Sequence, residues 1–127
     1  MAQYLSAEWL QLLQDALNAN EDFKKATANI DLKLQMNVVG APEGDITYYV
    51  TIGQGAVDMA LGETDSPDVT TTQDYATAEA VSKGELNAQQ AFMTGKLKAT
   101  GNLMKLMQHA GAFSALDGIQ KSIPTEY

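Results

Sequence analysis

Apolar and polar residues change rhythm repeatedly along this chain. Trp9, Leu10, Leu12, Leu13, Ala16 and Leu17 recur every third or fourth residue, with Gln11, Gln14 and Asp15 opposite, which predicts an amphipathic helix. Ser6 stands where its side chain caps that helix, and Asn20 stands in the same relation to a second, short helix in "EDFKKA". From Asn29 the period becomes two. Ile30, Leu32, Leu34, Met36 and Val38 alternate with Asp31, Lys33, Gln35 and Asn37, the pattern of a strand with one buried face. After "GAPEGD", Ile46, Tyr48, Val50 and Ile52 alternate with threonine and tyrosine in a second strand. "GQG" reads as the loop to a third strand carrying Val57, Met59 and Leu61, and "DSPD" turns into a fourth, Val69 to Gln73. Strands joined so closely are expected to form an antiparallel meander, because parallel neighbours need a crossover of about a dozen residues or more.

Helical spacing returns from about Asp74 to Lys83 and stops at Gly84. A short helix, Ala88 to Thr94, is opened by the capping-box pattern Asn87/Gln90 and closed by Gly95. "KLKAT" alternates as a fifth, short strand. Gly101 or Asn102 then starts a last helix, on which Leu103, Leu106, Met107, Ala110 and Phe113 share one stripe with Met104 on its flank. The terminal "SIPTEY" is expected to be a tail of marginal order. Together the elements predict an α+β fold, a five-stranded, mostly antiparallel sheet with helices covering one face. Residues 1–127 are read as a single domain, since a chain of this size buries roughly two-thirds of its unfolded surface around one core.

Charge and composition remove several functions. Sixteen acidic and eight basic residues give a formal charge of -8, opposed to the phosphate neutralisation on which nucleic-acid binding depends. Every basic residue is lysine, so no guanidinium fork is available for bidentate anion recognition. There is no cysteine, hence no disulfide or thiolate, and the single histidine, His109, argues against a zinc site. His109 falls on the far side of the last helix from its apolar stripe, where an exposed or hydrogen-bonded structural role is expected. "GQGAVD" begins like a dinucleotide fingerprint but lacks the third glycine and the following helix, so a hairpin loop is the better reading. Asp65, Asp68 and Asp74 lack calcium-loop spacing and read as solvated turn acids. No cofactor and no metal are expected. Without a basic leader or an apolar run of roughly 18 residues, the chain is read as a cytoplasmic protein.

Methionine is the remaining signal. Met36, Met59, Met93, Met104 and Met107 are spread over predicted strands and helices, and such flexible side chains either fill irregular gaps or adapt around variable apolar guests. Periodicity does not separate a packed core from a lined cavity.

"GELNAQQAFMTGKLKATGNLMKLM", Gly84 to Met107, resembles the C-terminal signature of the sterol carrier protein type 2 family. In that pattern glycine and Leu-Asn lead into a short helix with Ala-Phe-Met, Gly-Lys-Leu-Lys opens the last strand, and Gly-Asn starts a helix with Lys-Leu. The order of helix, long alternating strand and "DVTTTQD" before a helix is similar to the family's layout. The resemblance implies an apolar tunnel between sheet and helices that accommodates fatty acid, fatty acyl-CoA, phospholipid or sterol, without catalysis. It places Phe92 and Met93 on the helix near the cavity, Leu97 on the last strand, and Leu103, Leu106 and Met107 on the helix covering its mouth. With the inward positions Leu34, Met36, Tyr48, Val50 and Met59, and with Met104 and Phe113, these are the candidate ligand-binding residues. Lys96, Lys98 or Lys105 could meet an anionic head group, although alternation around Leu97 turns the first two outward.

A rigid, empty pocket of roughly 300 Å³ would destabilise the fold by about 7 kcal/mol, so the space is expected to collapse partly, admit water or retain lipid. The function this implies is non-enzymatic binding and transfer of lipids, with transient membrane contact compatible with it. The alternative is a protein–protein interaction or dimerisation module using the same apolar surface. A small enzyme built on His109 or the turn acids is the third reading.

Overall fold

The protein is described by a computed structural model covering residues 2–42, 44–86 and 88–126, with the side chains of residues 88, 89, 106, 110–114 and 117 outside the description. The chain opens with a two-residue strand, β1 (Ala2–Gln3), and enters α1 (Ala7–Ala19). Ser6 caps α1, its Oγ accepting from the Trp9 N–H at 3.1 Å. Asn20 ends α1 and caps α2 (Glu21–Ala26), its Oδ1 accepting from the Phe23 N–H at 2.9 Å. Trp9, Leu10, Leu13 and Leu17 are buried, whereas Leu12, at the edge of the expected stripe, is exposed.

The long alternating stretch forms β2 (Asp31–Val39), followed by β3 (Ile46–Gly53) and β4 (Ala56–Leu61), each antiparallel to the one before. Gln54 and Gly55 turn β3 into β4 with φ of 52° and 85°. Two successive positive φ values give a hairpin turn whose twist matches the flanking strands, so "GQG" is a hairpin loop as expected. The next strand departs from the expected meander. β5 (Val69–Asp74) lies beside β2 and parallel to it, with Leu34 opposite Val69, and the sheet order is β4-β3-β2-β5. The reason is that residues 40–68, hairpin included, already supply the crossover that a parallel pair demands. β3 occupies one edge of β2, and the returning chain takes the other.

Asp74 then caps α3 (Tyr75–Lys83), its Oδ1 accepting from the Thr77 N–H at 2.7 Å. Gly84, at φ 81°, ends it in the left-handed conformation that glycine adopts without strain. α4 (Ala88–Met93) follows; its expected opening residue, Asn87, lies outside the described residues. β6 (Leu97–Gly101) joins the sheet antiparallel to β5, completing five strands. Asn102 caps α5 (Leu103–Gln108) through the Lys105 N–H at 3.1 Å.

Instead of one long helix, the chain breaks at His109 (φ -112°, ψ 25°) and continues as α6 (Ala110–Lys121). Residues 110–118 contain two glycines, which weaken helix continuity, and the break lets α6 settle against α1, α2 and α3. The terminal segment is also tied down. β7 (Thr125–Glu126) pairs in parallel with β1, and the Trp9 indole N–H donates to Thr125 Oγ1 at 2.8 Å. A buried indole needs an acceptor, and the chain end provides it.

The inner face of the sheet, including Leu32, Leu34, Val38, Val50, Ile52 and Val69, forms the core with α1 and Phe23 of α2. On the opposite face Gln35 is buried beneath the chain following β4, its Oε1 accepting from the Thr64 N–H at 2.8 Å. Among the described residues no helix is long and apolar enough to cross a membrane.

Candidate functional site

Strand alternation brings one set of side chains to the inner face, and register brings them together. Leu34 stands opposite Val50, Met36 opposite Tyr48, and Val50 opposite Met59. At the other side of the sheet Gln73 stands opposite Leu97. Over this floor lie Trp9 and Leu13 of α1, Val81 of α3, and Leu116 and Gln120 of α6. Floor and roof do not close completely. They leave a partly enclosed cavity of about 90 Å³ whose described walls are mainly hydrocarbon. A second hollow, of about 130 Å³, is lined by residues 3–6, 41, 42, 46 and 75. It is more polar and more open to solvent, which suits an apolar guest less well than the enclosed space.

Among the described residues no charged side chain lines the partly enclosed cavity; the polar groups on its walls come from Tyr48, Gln73, Gln120 and Trp9. The Trp9 N–H is engaged by Thr125. Burial pushes the Tyr48 phenol up to about 12, so its hydroxyl stays neutral at any physiological pH. Gln73 is only 8 % exposed, and its Oε1 has no hydrogen-bond partner among the described residues.

Six predicted residues gather on this cavity: Leu34, Met36, Tyr48, Val50, Met59 and Leu97. Leu103 is half-buried and packs against the core without lining it. Phe92, Met93, Met104 and Met107 are not brought there. The three methionines are 77 %, 72 % and 74 % exposed. Among the described side chains of α4 the buried one is Ala91, and the larger Phe92 and Met93 lie outside. In α5 the break at His109 separates Met104 and Met107 from the helix that forms the roof. The side chains of Leu106 and Phe113 lie outside the described residues.

Sequence reasoning missed Trp9, Leu13, Val81, Leu116, Gln73 and Gln120. The glutamines had a legible signal: Gln73 follows Val69 and Thr71 at the inward period of β5, and Gln120 stands four residues after Leu116. Two of the turn acids expected to be solvated have structural duties. Asp68 Oδ2 accepts from the Lys33 N–H at 2.8 Å and from Lys105 Nζ at 3.3 Å, and the Lys33 bond foremost holds its carboxyl below the usual range. Asp74 is likewise lowered, by its hydrogen bonds with Thr77. Lys105 is thus committed to Asp68, while Lys96 and Lys98 are exposed. Among the described residues no group of three or more histidines or acids is placed to hold a metal.

The family model described as "SCP-2 sterol transfer family" matches residues 7–114. Among solved structures, a crystal structure of sterol carrier protein 2 aligns with a TM-score of 0.83 at 23% identity, covering 95% of this chain and 99% of that one. A conserved hypothetical protein from Thermus thermophilus gives a TM-score of 0.83 at 22% identity, covering 99% and 93%. Palmitated SCP2L2 from Aedes aegypti gives 0.58 at 22% identity, covering 82% and 93%. No curated protein sequence matches the chain.

Proposed function

The chain belongs to the SCP-2 sterol transfer family, and from this premise we propose that residues 1–127 act as one cytoplasmic, non-enzymatic carrier that binds a lipid between the sheet and α6. The observation that carries this reading is the partly enclosed cavity bounded by Leu34, Met36, Tyr48, Val50, Met59 and Leu97, with no charged side chain on its walls among the described residues. The palmitated Aedes aegypti relative, which shares the fold, supports a fatty acyl chain as one class of guest.

Size sets the mechanism. Ligand pockets usually span about 300–1,000 Å³, so a cavity of about 90 Å³ admits a whole hydrocarbon chain only if the roof yields. The roof residues Leu116 and Gln120 belong to α6, joined to the rest of the fold through the break at His109. Outward movement of this segment widens the space into a tunnel. A sixteen-carbon chain leaving water gains on the order of 12 kcal/mol at about 0.8 kcal/mol per methylene, before association costs. Leaving a bilayer it gains little. Binding that is strong relative to water and nearly neutral relative to membrane allows both collection and release.

Lipid extraction of the purified protein followed by mass spectrometry, with displacement of a fluorescent fatty acid, tests the reading. Retained lipid or displacement supports it; an extract free of lipid together with no binding of any acyl chain refutes it. A second reading, an interaction module, is favoured by the exposure of Phe92, Met93, Met104 and Met107 on α4 and α5, since exposed apolar groups serve contacts when they cluster. Sedimentation separates the two: a carrier stays monomeric with rising concentration, and an interaction module self-associates or sediments with a partner.

A further inference from the structure

The reading of this cavity as a lipid site leaves open which end of the lipid is recognised, and Gln73 bears on that question. Its side chain enters the cavity from β5, is more than nine-tenths buried, and has an amide oxygen with no partner among the described residues. Such an oxygen is uncommon in a folded interior and calls for a donor. The inner face of β5 explains its position. Val69, Thr71 and Gln73 alternate inward, but the Thr71 hydroxyl is spent on the Met36 sulfur at 3.1 Å, so Gln73 alone on that face of the strand offers an unused side-chain acceptor. The Gln120 amide, from the last turn of α6, lines the same small volume.

Resting on the lipid-carrier reading, we propose that Gln73 is the head-group receptor of the cavity and that the preferred guest ends in a neutral hydroxyl, as a long-chain alcohol does, and not in an ionised carboxylate. A hydroxyl donates one hydrogen bond and accepts others. It can give its proton to Gln73 Oε1 and receive a bond from the Gln120 amide. A carboxylate only accepts, so it leaves Gln73 Oε1 unsatisfied. It also enters a space with no lysine on its walls, where an unpaired charge is strongly disfavoured. The exposed Lys96 and Lys98 flank inward-facing Leu97 on the outer side of β6 and do not reach the cavity wall. An ether or alkane fits the walls but brings no donor.

The single tryptophan, Trp9, lines the cavity and reports occupancy through its fluorescence. Lipid-stripped protein is titrated with 1-tetradecanol, with its methyl ether, and with tetradecanoate at a pH where the acid is ionised. The expected result is about tenfold tighter binding of the alcohol than of the ether, the loss typical of one neutral hydrogen bond, and a larger preference over the ionised acid, which also brings an unpaired charge. Gln73→Met, which keeps the length and removes the acceptor, is expected to bring the alcohol down to the level of the ether without weakening the ether. Equal binding of alcohol and ether by the unaltered protein overturns the proposal. So does a Gln73→Met protein that keeps the preference, in which case Gln73 holds only water. If that variant does not fold, the alcohol-to-ether ratio of the unaltered protein decides alone. Equal affinity for all three ligands removes the head-group assignment and leaves the carrier reading standing, whereas no binding of any of them removes both.

Discussion

Val50→Ile tests the cavity directly. Val50 is 3 % exposed on the inner face of β3, between Leu34 and Met59, and lines the enclosed space. At about 24 cal/mol per Å³, the observed 90 Å³ destabilises the fold by about 2 kcal/mol. One added methylene recovers about 0.8 kcal/mol of burial, and isoleucine keeps the branching at Cβ that suits a strand. For a chain of this length the gain corresponds to a rise of about 3 °C in melting temperature. The same methylene takes room from a guest, so affinity for a long acyl chain should fall about fourfold. Thermal unfolding must be measured on lipid-stripped protein, because retained ligand raises the melting temperature by mass action. Displacement of a fluorescent fatty acid gives the second quantity. A fall in stability of about 1 kcal/mol or more would show that the walls are already closed and that isoleucine overpacks them. Higher stability with unchanged affinity would separate this void from the lipid site.

Three further outcomes follow from the fold. Gly101 has φ 107° and a Cβ there would collide with the Asp68 carbonyl oxygen, so Gly101→Ala should destabilise by about 2 kcal/mol or more in urea titration. Trp9→Phe removes the donor to Thr125; a loss of about 1–2 kcal/mol should come with faster hydrogen exchange at the Tyr4 amide, which bonds to Glu126 across β1 and β7. Hydrogen bonds hold the Asp68 and Asp74 carboxyls below the usual carboxylate range. Their contribution is complete above the unfolded-state value and is lost as pH falls through the lower, folded-state values. Urea midpoints should therefore drop on acidification below about pH 4, and Asp68→Asn should make that drop shallower; an unchanged acid limb would refute the assignment.

Local chemistry was readable wherever a residue acts on its neighbours. Ser6 and Asn20 cap helices at the places their side chains suggest, and Gln54 with Gly55 makes the hairpin turn, whereas Asp74, read as a solvated turn acid, caps α3. Non-local choices were not readable. Nothing in the alternation of β5 says which edge of β2 it joins, because both edges present the same backbone groups. The break at His109 depends on where α6 finds a surface, and the fate of "SIPTEY" depends on the needs of an indole more than a hundred residues earlier. The site shows the same division. Inward positions on long strands, such as Leu34 and Val50, follow from a period of two. In the short α4, size misleads: Ala91 is buried while Met93 faces outward. Gln73 breaks the hydrocarbon pattern at an inward position of β5, and a buried polar side chain there is rarer and more informative than another apolar one.

The pairing of β1 with β7 sets the mechanical behaviour of the chain. The two strands run in the same direction, and the free side of β1 leads toward the start of the chain while that of β7 leads toward its end. Tension applied between the two ends therefore slides the strands past one another, and their hydrogen bonds share the load simultaneously. Opened from one side, they would break in succession at lower force. A neighbouring protein attached at either end would thus pull first on this short clasp and on the Trp9–Thr125 bond beneath it, leaving the five-stranded sheet unloaded until the clasp gives way.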